Sequence, residues 1–261
     1  MPGYSNKAQN PPPEELVDEH CFVHGHDKRF NRENRHGMDY PVSAPALARA
    51  GIIAGDRELL RMAARVAIAK AISRFWDESP LMVFPGGIFE HRCFSHTAIL
   101  EDICITLDLA WDCFSEAGRL YLFRRMAEEG LGRTNFIFWK HDYIFKNNQA
   151  SAFSPGRILA YAVLEREWQH VAPYTELAYQ ELLENFEHIL LPDGGYAEGP
   201  AYFSYGVGFG IKALDYYARA RGQSLKEVLP PRLQRTSNFA AILTSTDDTH
   251  DLIAVGDAGE D

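Results

Sequence analysis

Apolar positions recur every three or four residues along most of the chain, the spacing of helices that bury one face. Leu60, Ala64, Ala67, Ala71 and Phe75 form one such stripe, with Asp56 ahead of it as a favoured N-cap. Upstream, Ser43 or Pro45 opens a helix that the Gly51 to Gly55 stretch closes. Ser95 is placed to cap a strongly apolar helix through Leu100, Ile103, Leu107 and Ala110. A further helix is expected over roughly 117–129, and another follows Asn148, with Pro155 near its first turns. Three more are expected over about 174–190, 203–221 and 232–244.

Strand patterns are nearly missing. The one candidate is "DLIAVGD" near the end of the sequence, a short β-like run. The pattern therefore predicts an all-α domain of about eight to ten helices, in antiparallel pairs joined by short loops. No fixed repeat is visible, which argues against a strict solenoid. The expected organisation is an extended N-terminal arm over 1–42, a helical domain over 43–250, and a linker or the start of a further β domain over 251–261. A lone strand has no partner, which is why a following β domain is expected.

Composition narrows the function classes. With 261 residues and 46 % hydrophobic residues, the chain can bury a sizeable core. No apolar run approaches the roughly 18 residues of a membrane span, and the first residues lack a basic stretch followed by an apolar one. The net charge of −10 argues against general nucleic-acid binding but leaves room for a local basic groove, for which Arg92, Arg133, Lys140, Lys146 and Arg157 are the candidate cations. Cys21, Cys93, Cys104 and Cys113 fit neither a zinc pattern nor a disulfide framework, and read as mostly buried thiols. His24 and His26 in "VHGHD" have no recognised metal spacing; a surface or hydrogen-bonded pair is the plainer reading. "RFNRENRHG" at 29–37 reads most simply as a solvated charge run. No metal or cofactor is expected.

Polar side chains concentrate at helix boundaries, where a rigid scaffold usually carries its site. "GIFEHRCFSH" holds Glu90, His91, Arg92 and His96. "WKHDYIFKNNQAS" holds Trp139, Lys140, His141, Asp142, Tyr143, Lys146, Asn147, Asn148 and Gln149. "LPDGGYAEGPAYFSYG" sets four glycines, two acids and Tyr196, Tyr202 and Tyr205 between two helical patterns.

"KNNQAS" followed by "DGGYAEGPAYFSYG" resembles the heparinase II/III group of polysaccharide lyases. The resemblance covers residues from about 90 to the end and is sharpest at 146–149 and 193–206. It implies an incomplete (α/α) toroid of antiparallel helix pairs followed by an antiparallel β domain, so that the chain would end on a short strand after the toroid. It implies that Asn148 faces the substrate carboxylate, and that a tyrosine of a Tyr-Gly pair further along acts as base. Tyr205 and Tyr202 both satisfy the spacing, and Gly206 after Tyr205 favours Tyr205. It also implies a periplasmic or secreted location. One departure is that related lyases often read "QHG" where this chain reads "AEG" with Glu198. Another is that a further catalytic histidine of the β domain has no counterpart here.

Such a lyase removes the proton alpha to a uronate carboxylate and expels the 4-linked sugar oxygen. A second negative charge develops beside the first, so the site needs neutral or cationic donors on the carboxylate. Asn148, with Asn147 or Gln149 beside it, suits that role, each well-placed donor being worth roughly 3–4 kcal/mol. A tyrosine base, ordinarily titrating near ~10, needs cations nearby; Arg92, His96, His141 and Lys146 are candidates. Trp139, Tyr143, Tyr202 and Phe203 offer stacking faces for sugar rings, and Glu198 and Tyr196 are further candidate contacts. The expected partner is an acidic polysaccharide or oligosaccharide, plain uronates being favoured over sulfated glycans by the negative net charge.

Plainer readings stand beside these. Asn148 suits an N-cap, Tyr205 a core aromatic, Glu198 a carboxylate accepting loop N–H groups, and His91 and His96 satisfied structural histidines. Two other functions compete. A glycoside hydrolase on a related toroid needs two carboxylates roughly 5–9 Å apart, for which Asp193 with Glu198 or Glu90 with Asp142 can be offered. The last is a non-catalytic glycan-binding domain.

Overall fold

The computed structural model describes residues 43–72, 76 and 92–244. The N-terminal arm with Cys21, His24 and His26, the pair Glu90 and His91, and the terminal "DLIAVGD" run lie outside the described residues. The described chain is all-α, with no strand among these residues; an isolated antiparallel bridge joins Leu190 and Tyr196. It divides after Ile137 into two compact units.

In the first unit, α1 (Ala44–Ala54) starts where Ser43 accepts a hydrogen bond from the Ala46 N–H, and stops at Gly55 in the left-handed region. Asp56 then caps α2 (Arg57–Ile72), its carboxylate accepting from the N–H groups of Glu58 and Leu59. α3 (Phe94–Leu109) begins one residue before the expected cap; Ser95 is buried inside it, and Cys93 at the cap position makes no side-chain capping bond. α4 (Glu116–Arg125) is capped by Ser115 and runs into a π-helical turn, Met126–Leu131. α1, α2 and α3 pack on one another, and the π turn packs on α3 and α4. Their core holds Leu47, Val66, Ile99, Leu100, Ile103, Leu122, Met126 and Trp76. The buried Lys70 is paired with Asp102, the arrangement a buried ammonium needs. Among the described residues Cys93, Cys104 and Cys113 form no disulfide, and the first two are buried.

The division falls inside α5 (Gly132–Lys140). In the second unit a 3-10 turn, Asp142–Lys146, leads into α6 (Asn148–Glu167), followed by α7 (Ala172–Ile189), α8 (Pro200–Arg221), a single turn α9 (Leu225–Val228) and α10 (Thr236–Leu243). α6 is buried on nearly every side, with Pro155 inside it. Contacts at both ends fix the helix directions. The start of α6 meets α8 near its start, where a Cβ on Gly206 would lie 3.2 Å from the Asn148 Cβ. Its end meets the end of α8 through the Arg221–Glu165 ion pair. α7 runs the other way: Thr175 near its start donates to Glu165 at 2.6 Å, and Asn185 near its end reaches back to the chain before α6. The buried Arg157, offered by its charge as a groove cation, is instead paired with Glu181 and stacked 4.1 Å from the Phe138 ring centre.

Candidate functional site

The starts of α6 and α8 bring together the two segments that the sequence singled out. Their two adjacent asparagines have different jobs. Asn147, not Asn148, is the N-cap of α6: its side-chain oxygen accepts the Gln149 N–H at 2.8 Å, and its amide donates to the Tyr143 carbonyl at 3.2 Å. Asn148 is therefore released from capping. Its Nδ2 donates to both carboxylate oxygens of Glu198, at 3.2 and 3.3 Å, across fifty residues of sequence.

Glu198 comes from a tight loop between α7 and α8. Leu191 N–H bonds the Gly195 carbonyl at 2.8 Å and Ala197 N–H bonds the Ile189 carbonyl at 2.9 Å, which closes a short hairpin. Asp193 accepts from the Gly195 N–H at 3.0 Å. Gly194 has φ 92°, and a Cβ there would sit 2.5 Å from the Arg235 carbonyl oxygen, so the turn requires glycine. Arg232 and Arg235 pin the loop from outside through the carbonyls of Leu190 and Pro192, at 3.0 and 2.8 Å.

Beneath the carboxylate, Tyr196 is buried and its hydroxyl donates to Glu198 at 3.4 Å. Burial, then the Glu198 charge, push this phenol far above its ordinary range. Tyr196 is thus a fixed donor that keeps its proton, rather than a base. Its hydroxyl occupies the space that a side chain at 206 would fill; a Cβ on Gly206 would meet it at 2.1 Å.

The next turns of α8 carry the remaining tyrosines. Tyr202 lies one turn before Gly206, on the same helix face. Tyr205, half-exposed, lines an open hollow of about 520 Å³ with Ala201, Ser204, Gly208, Phe209 and Lys212. Its ring centre is 4.7 Å from that of Phe209, over which the Lys212 ammonium sits at 5.2 Å. Lys212 was not foreseen, although it follows Tyr205 by two helical turns.

Buried Asn185 was also missed; it reads as one polar residue in an amphipathic helix. Its amide donates to the carbonyls of Phe145 and Asn147, at 2.8 and 2.9 Å, and its oxygen accepts from the Ser151 hydroxyl.

Gln149 is half-buried one residue along from Asn148. Trp139 and Lys146 are exposed, and His141 is half-buried, its ring edge-on to Tyr143 with centroids 5.9 Å apart. Arg92 and His96 belong to the first unit. His96 is buried, 6.4 Å from the Trp76 ring centre. Burial, then the Arg133 charge, lower its pKa from 6.5 to about 3, so it is neutral near pH 7.

A depressed histidine pKa stabilises the fold above the ordinary value, and that stability is lost as pH falls below it. Between about pH 7 and about pH 4.5 the wild type is therefore expected to lose more stability than His96→Gln, measured as urea midpoints. Equal losses in the two proteins would show that His96 does not titrate this way.

Among the described residues no group of three or more His, Cys, Asp or Glu side chains is placed to hold a metal ion, and no helix is long and apolar enough to cross a membrane. Comparison with protein-family models and with curated proteins finds no match.

Proposed function

We propose that this chain carries the helical part of a polysaccharide lyase that cleaves a uronate-containing glycan by β-elimination. The observation that carries the reading is the meeting of Asn148 and Glu198 beside Gly206, with Tyr202 and Tyr205 on the same turns of α8. Two segments distant in sequence supply one cluster of amide, carboxylate and phenol groups, and the amide is not consumed by capping. The antiparallel run of α6, α7 and α8 fits an incomplete (α/α) toroid.

In this reading Asn148 donates to the uronate carboxylate, as a neutral group that steadies the enolate-like charge of the transition state. The same amide holds Glu198, so substrate and Glu198 share its two N–H groups. Tyr205 removes the alpha proton. Lys212, which lines the same hollow and meets the same Phe209 ring, supplies the positive potential that favours a phenolate. The electron pair left on the alpha carbon forms the double bond to the next carbon. The 4-linked oxygen leaves and takes up a proton, which the tyrosine can return.

The arrangement favours elimination over hydrolysis at one point. Asp193, the carboxylate that hydrolysis would pair with Glu198, is folded into its own turn on the Gly195 N–H.

The test is product analysis on unsulfated uronate polymers, of mannuronate, galacturonate, and alternating glucuronate–hexosamine type. The expected result is ultraviolet absorbance from a new double bond conjugated to a carboxylate. New reducing ends without that absorbance would overturn the lyase in favour of a hydrolase. Binding without any cleavage would leave a glycan-binding domain.

A further inference from the structure

We infer that Asn185 is a positioning residue for Asn148: from α7 it fixes the backbone from which the Asn148 amide projects. The inference rests on the lyase reading for its kinetic consequence and on geometry alone for its structural one. Three facts carry it. Asn185 has no exposed surface. Both halves of its amide are used, the nitrogen on the carbonyls of Phe145 and Asn147 and the oxygen on the Ser151 hydroxyl. Those partners bracket Asn148: Phe145 is in the 3-10 turn, Asn147 is the cap, and Ser151 is in the first turn of α6.

The chemistry suits a brace. An asparagine amide offers two N–H donors and a carbonyl acceptor in one plane, and here a single buried group spans the entry and first turn of a helix. The first turn of a helix has backbone N–H groups without helical partners and is where the chain most readily frays. Asn147 restrains that turn from within. Asn185 restrains it from a neighbouring helix, so that the Asn148 side chain meets Glu198 from one direction. Nothing in the arrangement gives Asn185 a route to substrate; its effect passes through Asn147 and Asn148.

The test uses the full chain. Asn185→Asp keeps the shape but removes both N–H donors and sets a carboxylate against two carbonyls. Asn185→Ser is the milder variant, used in its place if the first does not fold. Ser151→Ala removes only the hydroxyl and leaves the amide donors on the Phe145 and Asn147 carbonyls. For the Asp or Ser variant, kcat on the uronate polymer is expected to fall about 100-fold, as for a reacting group displaced by roughly 1 Å. KM should stay within about threefold of wild type, because other contacts to the glycan are untouched. Amides from Asn147 to Ser151 should exchange hydrogen faster, while those in the middle of α8 keep their protection. Ser151→Ala, which cuts one of the three bonds, should lower kcat and speed exchange in the same direction but by less than the Asn185 variants.

Unchanged kcat and unchanged exchange in a folded Asn185 variant would overturn the inference. So would a loss of rate that merely tracks the fraction unfolded, with protection lost equally in α8. If the wild type cleaves no uronate polymer, the proposed function fails by that result. Exchange at Asn147 to Ser151 then decides the brace by itself, in the same two directions.

Discussion

Tyr205→Phe is expected to lower the rate of double-bond formation by about 10²–10⁴-fold, the range for loss of a positioned general base. Substrate binding should change little, since the ring is kept. Tyr205 lines the hollow beside Phe209 and Lys212, whose ammonium is a cation on the same hollow. The comparison that gives this result meaning is Tyr202→Phe. Tyr202 lies on the Gly206 face of α8, toward Asn148, whereas Tyr205 is turned about 100° around the helix from that face. If Tyr205 is the base, Tyr202→Phe should cost less than about tenfold, the effect of a hydrogen-bonding or stacking neighbour. The reverse order of effects would assign the proton transfer to Tyr202 and leave Tyr205 as a wall of the hollow. Equal, small effects in both would remove the tyrosine base altogether. Lys212→Met adds an independent check. With the ammonium gone, the pH–rate profile of a Tyr205-dependent reaction should shift to higher pH, because a phenol without a nearby cation ionises later.

Local chemistry was the part legible in the sequence. Ser43, Gly55 and Asp56 bound α1 and α2 where capping preferences put them, since a cap is decided by residues within one turn. The same rules slipped where two good signals competed. Pattern cannot choose between Asn147 and Asn148 as cap, because both suit it; the outcome follows from the extended backbone at Asn147. α8 starts at Pro200, three residues earlier than its apolar period suggested, because Gly199 with φ 87° frees the turn and proline suits the first helical position. The last helix is shorter than expected, since Leu233–Arg235 form a 3-10 turn and Arg232 and Arg235 are drawn to the α7–α8 loop. The pairs that make the candidate site were not legible as pairs. Asn148 with Glu198 and Asn185 with Asn147 join residues far apart, Tyr196 and Gly206 meet across a turn and a helix start, and nothing local to either partner announces the other. Arg157 shows the opposite error: its charge suggested a groove cation, and its burial against Glu181 and Phe138 makes it part of the core.

Gly206→Ala offers the largest structural effect with the smallest chemical change. The added methyl carbon would lie 2.1 Å from the Tyr196 hydroxyl oxygen, so either α8 or the buried ring must move. Overpacking of this kind is expected to cost about 1–3 kcal/mol, read as a shift of the urea midpoint at constant slope. The same displacement drags the hydroxyl from Glu198 and, through Glu198, disturbs Asn148, so turnover should fall with stability. Tyr196→Phe alone removes one donor from a half-buried carboxylate and is expected to cost about 1 kcal/mol. The two changes together should be less damaging than their sum. Without the hydroxyl, the nearest atoms to the new methyl are the ring carbon at 3.1 Å and the Asn148 Cβ at 3.2 Å, close contacts that a small shift relieves. The expected coupling is at least about 1 kcal/mol in favour of the double variant. Additive losses would mean that Gly206 is needed for some property other than room for the Tyr196 hydroxyl. Recovery of stability without recovery of turnover would separate the two roles of Tyr196: its ring then serves packing, and its hydroxyl serves to hold Glu198 where Asn148 can meet it.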